Sequence, residues 1–398
     1  MGAPADDRGA LSYLRPPWAG HSRHRSLYPP ARLAGILRAA VRNALAFGSG
    51  AAPTLGLAAA VGLLSAGCAS YPRMTRPPVA PPASAVYMPG AGGEQLYTAI
   101  EGSPEPRGVV WYVVGPEIGS APLYPGFTKA LHQAGFATAV LHPRGAGYST
   151  GVRGDIEDYA LFLGDYEAFL LRLRERFAGR PLFLLGHSAG AAFALHLAAN
   201  SRAALAGVVL VNPAYKLIYS EGMGPSFGDY VVYGANYVFR PAALTVDMNS
   251  DPSAVKNDLD RAEGMAMQRD PLVVRHFSMR YLFAQRKVMD RCAENIAAMV
   301  APLLLVQGAG DALVDPKGND ELLAAARSTD KRKLVAPGAG HGSSAVESMI
   351  APLLDWLSER APAPGEAPPA EASAAAARSN HVAAPQAGGD AGDADMPF

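Results

Sequence analysis

Cysteine is nearly absent, occurring only as Cys68 and Cys292. A single possible pair cannot staple a chain of 398 residues, so a disulfide scaffold is excluded. No cysteine–histidine cluster has zinc-ligand spacing, and neither a metal nor a cofactor is expected. Net charge is absent as well, since 35 Lys and Arg balance 35 Asp and Glu. That leaves no basic stripe to hold nucleic acid and no broad field to steer an acidic substrate. The apolar run from Thr54 to Leu64 falls short of the about 20 residues a membrane-spanning helix needs. Apolar residues still make up 49% of the chain, enough for a sizeable core.

The two ends read as extensions. From about Ala361 to Phe398 the chain is Ala-, Pro- and Gly-rich, with almost no large apolar residue to offset ordering entropy, and it is expected to be disordered. At the other end Arg32, Arg38 and Arg42 precede the Thr54–Leu64 run, and no acidic residue lies between Arg32 and Cys68. This is the order of a secretory signal, a charged region and then an apolar one. The run ends in Leu64-Ser65-Ala66-Gly67-Cys68, which resembles a bacterial lipobox, with Ser65 where Leu is commonest. The resemblance implies residues 1–67 as leader, lipidation of Cys68, and an exported protein held at the cell envelope, in the outer membrane if the source is Gram-negative. An ordinary cleaved signal or an uncleaved anchor is the alternative. The Pro-rich stretch through Ser84 reads as a semi-rigid tether. With Cys68 acylated, Cys292 is left unpaired, in a helical stretch where a buried, inert thiol is the default.

From about Ala85 strands and helices alternate. Gly108–Val114, Phe136–Leu141, Leu182–Leu185, Gly207–Val211, Leu303–Val306 and Lys333–Ala336 read as apolar strands. Tyr124–Ala134, Asp155–Phe177, Ala189–Ala199 and Ala345–Leu357 read as helices. Continuous apolar strands alternating with helices predict a mostly parallel, doubly wound α/β sheet. Between about Tyr215 and Val300 the alternation stops. That span is too long for a connector and reads as a mainly helical insertion rich in aromatics and Met, either cover for the sheet edge or a lid over an apolar site.

Between the strand ending at Leu185 and the next helix stands Gly186-His187-Ser188-Ala189-Gly190. A strand-to-helix turn this sharp strains the serine backbone and lifts its hydroxyl clear of the sheet, and side chains two positions either side would collide. A nucleophilic serine needs a base, and the base an orienting acid, in the chain order Ser, acid, His. Four histidines follow Ser188. His196 sits on the next helix, His276 in the insertion and His381 in the tail. His341, in a Gly-rich loop after the last strand, is placed to be the base. Asp311, in the turn after Leu303–Gly308, is the expected acid, with Asp315 as competitor.

From about Val86 to Glu359 the chain resembles the monoacylglycerol lipase and lysophospholipase branch of the α/β hydrolases, which also includes serine aminopeptidases. The resemblance rests on Gly186–Gly190, Gly308-Ala309-Gly310-Asp311-Ala312-Leu313-Val314, Gly338-Ala339-Gly340-His341, and the turn His142-Pro143-Arg144-Gly145-Ala146-Gly147-Tyr148-Ser149, where His142 replaces the usual acid. It implies a hydrolase domain over residues 85–360 with a helical cap at about 215–300. It also implies an oxyanion hole from the backbone N–H of Ala189 and one N–H after the third strand. There the run is Val114-Gly115-Pro116-Glu117. Proline has no N–H, which leaves Glu117 as the second donor.

The leading expectation is hydrolysis of an apolar, lipid-like carboxylic ester through an acyl-enzyme on Ser188. A serine aminopeptidase is the alternative, with Glu221, Asp229 or Glu263 available to hold an α-ammonium group. A tethered binding protein on a hydrolase fold is the reading from another class. Ser188 at the nucleophile position disfavours a dehalogenase, which would use Asp.

Overall fold

The apolar runs marked in the sequence form the middle of one eight-stranded sheet. The computed structural model describes residues 70–201, 204–218, 227–248 and 251–361, with the backbone alone at 227–231. Cys68, the leader, Tyr219, Glu221, Met223 and the tail beyond Ala361 lie outside these residues, as does the side chain of Asp229.

The sheet is built from β1 (Val86–Pro89), β2 (Gln95–Gly102), β3 (Val109–Val113), β4 (Ala137–Leu141), β5 (Leu182–His187), β6 (Gly207–Val211), β9 (Leu303–Gly308) and β10 (Lys331–Ala336). Their spatial order is β1-β2-β4-β3-β5-β6-β9-β10. β1 and β2 pair antiparallel at one edge, and β2 is antiparallel to β4. Every other pairing is parallel. β1 and β2 escaped the sequence reading because they are not continuous apolar runs. β2 alternates, with Leu96 and Thr98 buried between more exposed neighbours, as a strand covered on one face does.

Helices cover both faces. Val109, Trp111, Val113, Leu184 and Leu210 face α2 (Tyr159–Arg176) and α3 (Ala189–Asn200), where Phe162, Tyr166, Phe169 and Phe193 join one core. Val110, Tyr112, Phe183 and Leu185 point the other way, toward α1 (Pro125–Gln133) and α10 (Ile350–Arg360), where Phe127, Leu131 and Trp356 complete a second. The period-2 alternation of each strand thus feeds two cores. Ala361, expected at the start of a loose tail, is fully buried in the second of them.

The last helix differs from expectation. The stretch read as Ala345–Leu357 is two pieces, α9 (Ser344–Glu347) and α10. Pro352 lies in the first turn of α10, where it needs no helical N–H; inside one continuous helix its ring would clash with the carbonyl four residues back. Helix α8 (Pro316–Ala325) was not anticipated, although Asp315-Pro316 is a start signal, with Asp315 accepting the Lys317 N–H at 2.9 Å.

The insertion between β6 and β9 carries α4 (Phe227–Phe239), β7 (Leu244–Asp247), α5 (Asp258–Arg269), β8 (His276–Ser278), α6 (Met279–Asp290) and α7 (Cys292–Ala298). It is mainly helical, with the addition of a two-stranded antiparallel β7–β8 ribbon. Of its described aromatic and Met side chains, Tyr237, Phe239, Met265 and Phe283 lie exposed, while Phe277, Met279 and Tyr281 are buried in the first core. Cys292 is also buried there, and burial pushes its thiol up to about 12.

The Pro-rich stretch is held against this ribbon at its start. The Tyr71 N–H donates to the Leu244 carbonyl at 2.9 Å, and the Tyr71 ring stacks on His276 with centroids 3.5 Å apart. Arg73 donates to the Ala242 carbonyl at 2.8 Å and pairs with buried Asp155 at 3.2 Å. The Met74 and Thr75 carbonyls accept from Arg153 and Gly151.

Candidate active site

Parallel register brings three strand ends to one level: His187 of β5 pairs with Val211 of β6, and Val211 pairs with Val306 of β9. Residues that follow these carboxyl ends meet in the crevice where open α/β sheets bind ligands. Ser188 follows β5 with φ +52° and ψ −120°, a left-handed strain for a non-glycine residue. A side chain at Gly186 would collide with the Gly190 carbonyl, and one at Gly190 with the Val113 carbonyl. The sharp turn therefore exists only because both positions are glycine.

The His341 Nε2 lies 2.8 Å from the Ser188 Oγ, and its Nδ1 lies 2.8 Å from the Asp311 Oδ2. The other Asp311 oxygen accepts the backbone N–H groups of Leu313 (2.8 Å) and Val314 (3.0 Å). Burial alone would raise the Asp311 carboxyl. His341 and these two N–H groups outweigh it and hold the group below the usual carboxylate range, so it stays ionised against the imidazole. Asp315 stands apart as the cap of α8. Of the other described histidines, His196 bonds with Asn200 on its own helix and His276 stacks on Tyr71.

Two residues that sequence reading passed over hold the His341 loop from the sheet side. His187, half-buried and pushed down to about 4 by desolvation and by neighbouring His341, hydrogen-bonds the His341 carbonyl. Asn212, fully buried at φ +42°, donates to the Gly340 and His341 carbonyls, both at 3.1 Å, while its Oδ1 accepts the Gly308 N–H at 2.8 Å. The one sequence signal was an Asn at the end of a parallel strand, a residue type that tolerates positive φ.

Ala189 opens α3, where the first backbone N–H groups have no acceptor within the helix. Both it and the Val114–Glu117 turn border the cavity. At Glu117 the side chain folds inward. Burial raises its carboxyl above the usual range, while its own backbone N–H and the Gln285 side chain pull the other way.

Above the serine opens a cavity of about 1770 Å³, bordered by Ser188 and His341 and by apolar side chains such as Ile118, Leu123, Val255, Leu259, Met267 and Val273. Of the cap's described Met and aromatic residues, Met248, Met267 and Phe277 border it; Tyr237 and Phe283 pack on each other at the surface. Among the described residues, no group of three His, Cys, Asp or Glu is placed to hold a metal, and no helix is long and apolar enough to cross a membrane.

Residues 104–345 match the family described as serine aminopeptidase, S33. The mouse monoglyceride lipase is 27% identical over 310 residues, which is 75% of this chain and 97% of that protein. The monoacylglycerol lipase of Mycolicibacterium smegmatis is 27% identical over 255 residues, 63% and 88% of the two chains. Among solved structures, the monoacylglycerol lipase of Paleococcus ferrophilus superposes with a TM-score of 0.54 at 25% identity, over 67% of this chain and 99% of its own.

Proposed function

The chain belongs to the serine aminopeptidase S33 family, as a lipase- or esterase-type α/β hydrolase, and on that premise we propose that it cleaves lipid-like carboxylic esters through an acyl-enzyme on Ser188. The observation that carries the reading is the unbroken hydrogen-bonded chain from Ser188 through His341 to Asp311 at the edge of an apolar cavity. His341 takes the Ser188 proton at Nε2 as Oγ attacks the ester carbonyl. Asp311 keeps Nδ1–H pointed away from the serine and stabilises the imidazolium. The oxyanion faces the Ala189 N–H and the turn at Gly115–Glu117, where fixed donors stabilise charge that develops only in the transition state. Collapse of the tetrahedral species expels the alcohol, which receives the proton from His341. Water, deprotonated by His341, then attacks the acyl-enzyme and releases the acid.

The apolar cavity and the monoglyceride lipases among the relatives favour a monoacylglycerol or lysophospholipid class of substrate. The aminopeptidase alternative has less to draw on, since the Glu263 carboxylate accepts the Ser343 N–H at 3.0 Å. The test is a fluorophosphonate probe together with p-nitrophenyl esters of graded length and aminoacyl amides. Labelling that depends on Ser188, with ester turnover exceeding amide turnover, is the expected result. Labelling that persists in Ser188→Ala removes the nucleophile assignment, and faster amide turnover selects the peptidase. We further propose that Cys68 carries a lipid that holds the enzyme at the envelope, on the lipobox-like sequence before it.

A further inference from the structure

The loop that carries His341 has little stiffness of its own. Gly338, Gly340 and Gly342 leave its backbone with more freedom than any other residue type would. His187 and Asn212 hold it from the sheet side. Its other side is held by the cap, through one face of α5 and the residue that caps it. Asn257, Asp260 and Glu263 follow one another at three-residue spacing, which lines them along a single helix face.

Asp260 is the centre of this contact. It is 7% exposed. Its Oδ1 accepts the Ser344 N–H at 2.9 Å, and its Oδ2 accepts the Ser344 hydroxyl at 2.8 Å and the Gly342 N–H at 3.2 Å. The Ser344 Oγ in turn accepts the Gly340 N–H at 3.0 Å. The carboxylate thus bonds directly to the residue after His341 and, through Ser344, to the residue before it. Glu263 accepts the Ser343 N–H at 3.0 Å, and the Asn257 amide donates to the Gly338 carbonyl at 3.0 Å. A side chain at Gly340 or Gly342 would run into the Asp260 carboxylate. The two glycines flanking the histidine are therefore the space into which the cap's carboxylate fits. The same helix presents Leu259, Ala262 and Met267 to the cavity, so one element touches both the substrate space and the loop of the general base.

We propose that Asp260 is a positioning residue for His341, through which the seating of the cap sets the alignment of the imidazole with Ser188. This rests on the triad assignment above. A small misplacement of a catalytic group costs about 10- to 100-fold in rate. Asp260→Asn keeps the shape but turns an amide donor toward the Ser344 and Gly342 donors, and loses the charge that strengthens these bonds.

The test compares the full-length enzyme, Asp260→Asn, Ser344→Ala and the double variant with p-nitrophenyl butyrate, whose short acyl chain makes little use of the cap side of the cavity. Fluorophosphonate labelling rates are measured in parallel, at a temperature where thermal melts show every variant folded. Asp260→Asn is expected to lower kcat and the labelling rate about 10- to 100-fold with KM nearly unchanged, and to be non-additive with Ser344→Ala. Asp258→Asn, the same charge change on the exposed face of α5, is expected to keep wild-type kcat. An Asp260→Asn enzyme that melts lower yet turns over and labels like wild type has only a structural cap contact, and overturns the proposal; so does strict additivity with Ser344→Ala. If Asp260→Asn does not fold, Asn257→Asp, which keeps the helix cap but loses the donor to Gly338, and Glu263→Ala carry the test. Wild-type kcat in both overturns it. A wild-type enzyme that neither labels nor hydrolyses esters instead removes the triad reading, and this inference with it.

Discussion

At Ser188 a strained φ of +52° is forced by the packing of β5 against α3, and the same strain aims the hydroxyl at His341. The choice between the two acids follows from geometry of the same scale. Asp311→Asn is expected to leave the melting temperature nearly unchanged and to lower kcat by about 10³- to 10⁴-fold. Asp315→Ala should retain kcat and lose about 1 kcal/mol of stability, the usual worth of a helix cap. The reverse pattern in paired kinetic and thermal assays would reassign the acid. Buried histidines set the acid sensitivity. His142 is pushed down to about 4 by burial and by Arg153, and accepts the Tyr148 N–H at 3.1 Å. Its folded value lies below the unfolded 6.5, so the unfolded chain binds more protons between these values. The stability from neutral His142 is therefore full above pH 6.5 and lost as pH falls through about 4. In His142→Asn, whose side-chain oxygen can accept the same N–H, the stability–pH curve over that window should flatten by up to about 1.4 kcal/mol per pH unit. Parallel curves for the two proteins would mean that His142 does not titrate there. The motif residues were legible in sequence because each is specified by immediate neighbours. His187 and Asn212 were not, since their partner, the His341 carbonyl, is more than a hundred residues away in the chain.

Elements place these residues. The β7–β8 ribbon, the start of α6 and the strap beginning at Tyr71 converge on Asp155, which accepts from the Ser278 hydroxyl and from Arg280 Nε, both at 2.6 Å, and pairs with Arg73 at 3.2 Å. Its carboxylate is wholly buried. Removing one partner of such a cluster leaves charge and donors uncompensated, at a cost of about 3–5 kcal/mol. Asp155→Ala should accordingly destabilise the enzyme by that order in denaturant titrations, with faster amide exchange in β7 and β8 than in β5. Uniform protection across the two regions would show that the cluster does not seat the cap. Sequence periodicity revealed the insertion as an interruption. It missed the ribbon, whose β8 is three residues long, and read the strap as a spacer, because Pro content reports local stiffness and says nothing about a docking partner.

For the whole molecule, the strap gives the proposed anchor a mechanical consequence. Tyr71 is stacked on the cap's ribbon only three residues after Cys68, and such a spacer reaches about 10 Å when extended. A lipid at Cys68 would hold the cap, and the cavity beneath it, close to the bilayer. Expressed in its native host, the wild-type protein is expected in the membrane fraction and Cys68→Ser in the soluble one. Membrane association that survives the substitution would replace the lipid by an uncleaved signal helix. A pairing of anchor and cap also favours substrates that partition into membranes over freely soluble esters, which the graded ester series reads directly.

The parallel strands at the centre of the sheet, the helices between β3 and β6, the elbow at Ser188, and the candidates Asp311 and His341 were written in contiguous residues. Each answers a short-range demand: a period of two in a buried strand, glycine where backbones cross, a turn residue after a strand. Tertiary structure decided what joins distant segments. It put Asp311 against His341 and Asp315 on the end of α8. It laid the strap along the ribbon, put Phe277 and Tyr281 of the cap into the core and Tyr237 and Phe283 at the surface, and set Asp260 against Gly342 and Ser344 across some 80 residues of chain. Such contacts depend on how whole elements pack, and no local pattern encodes the distance between two loops that meet only once the sheet has brought the ends of β5, β6 and β9 to one level.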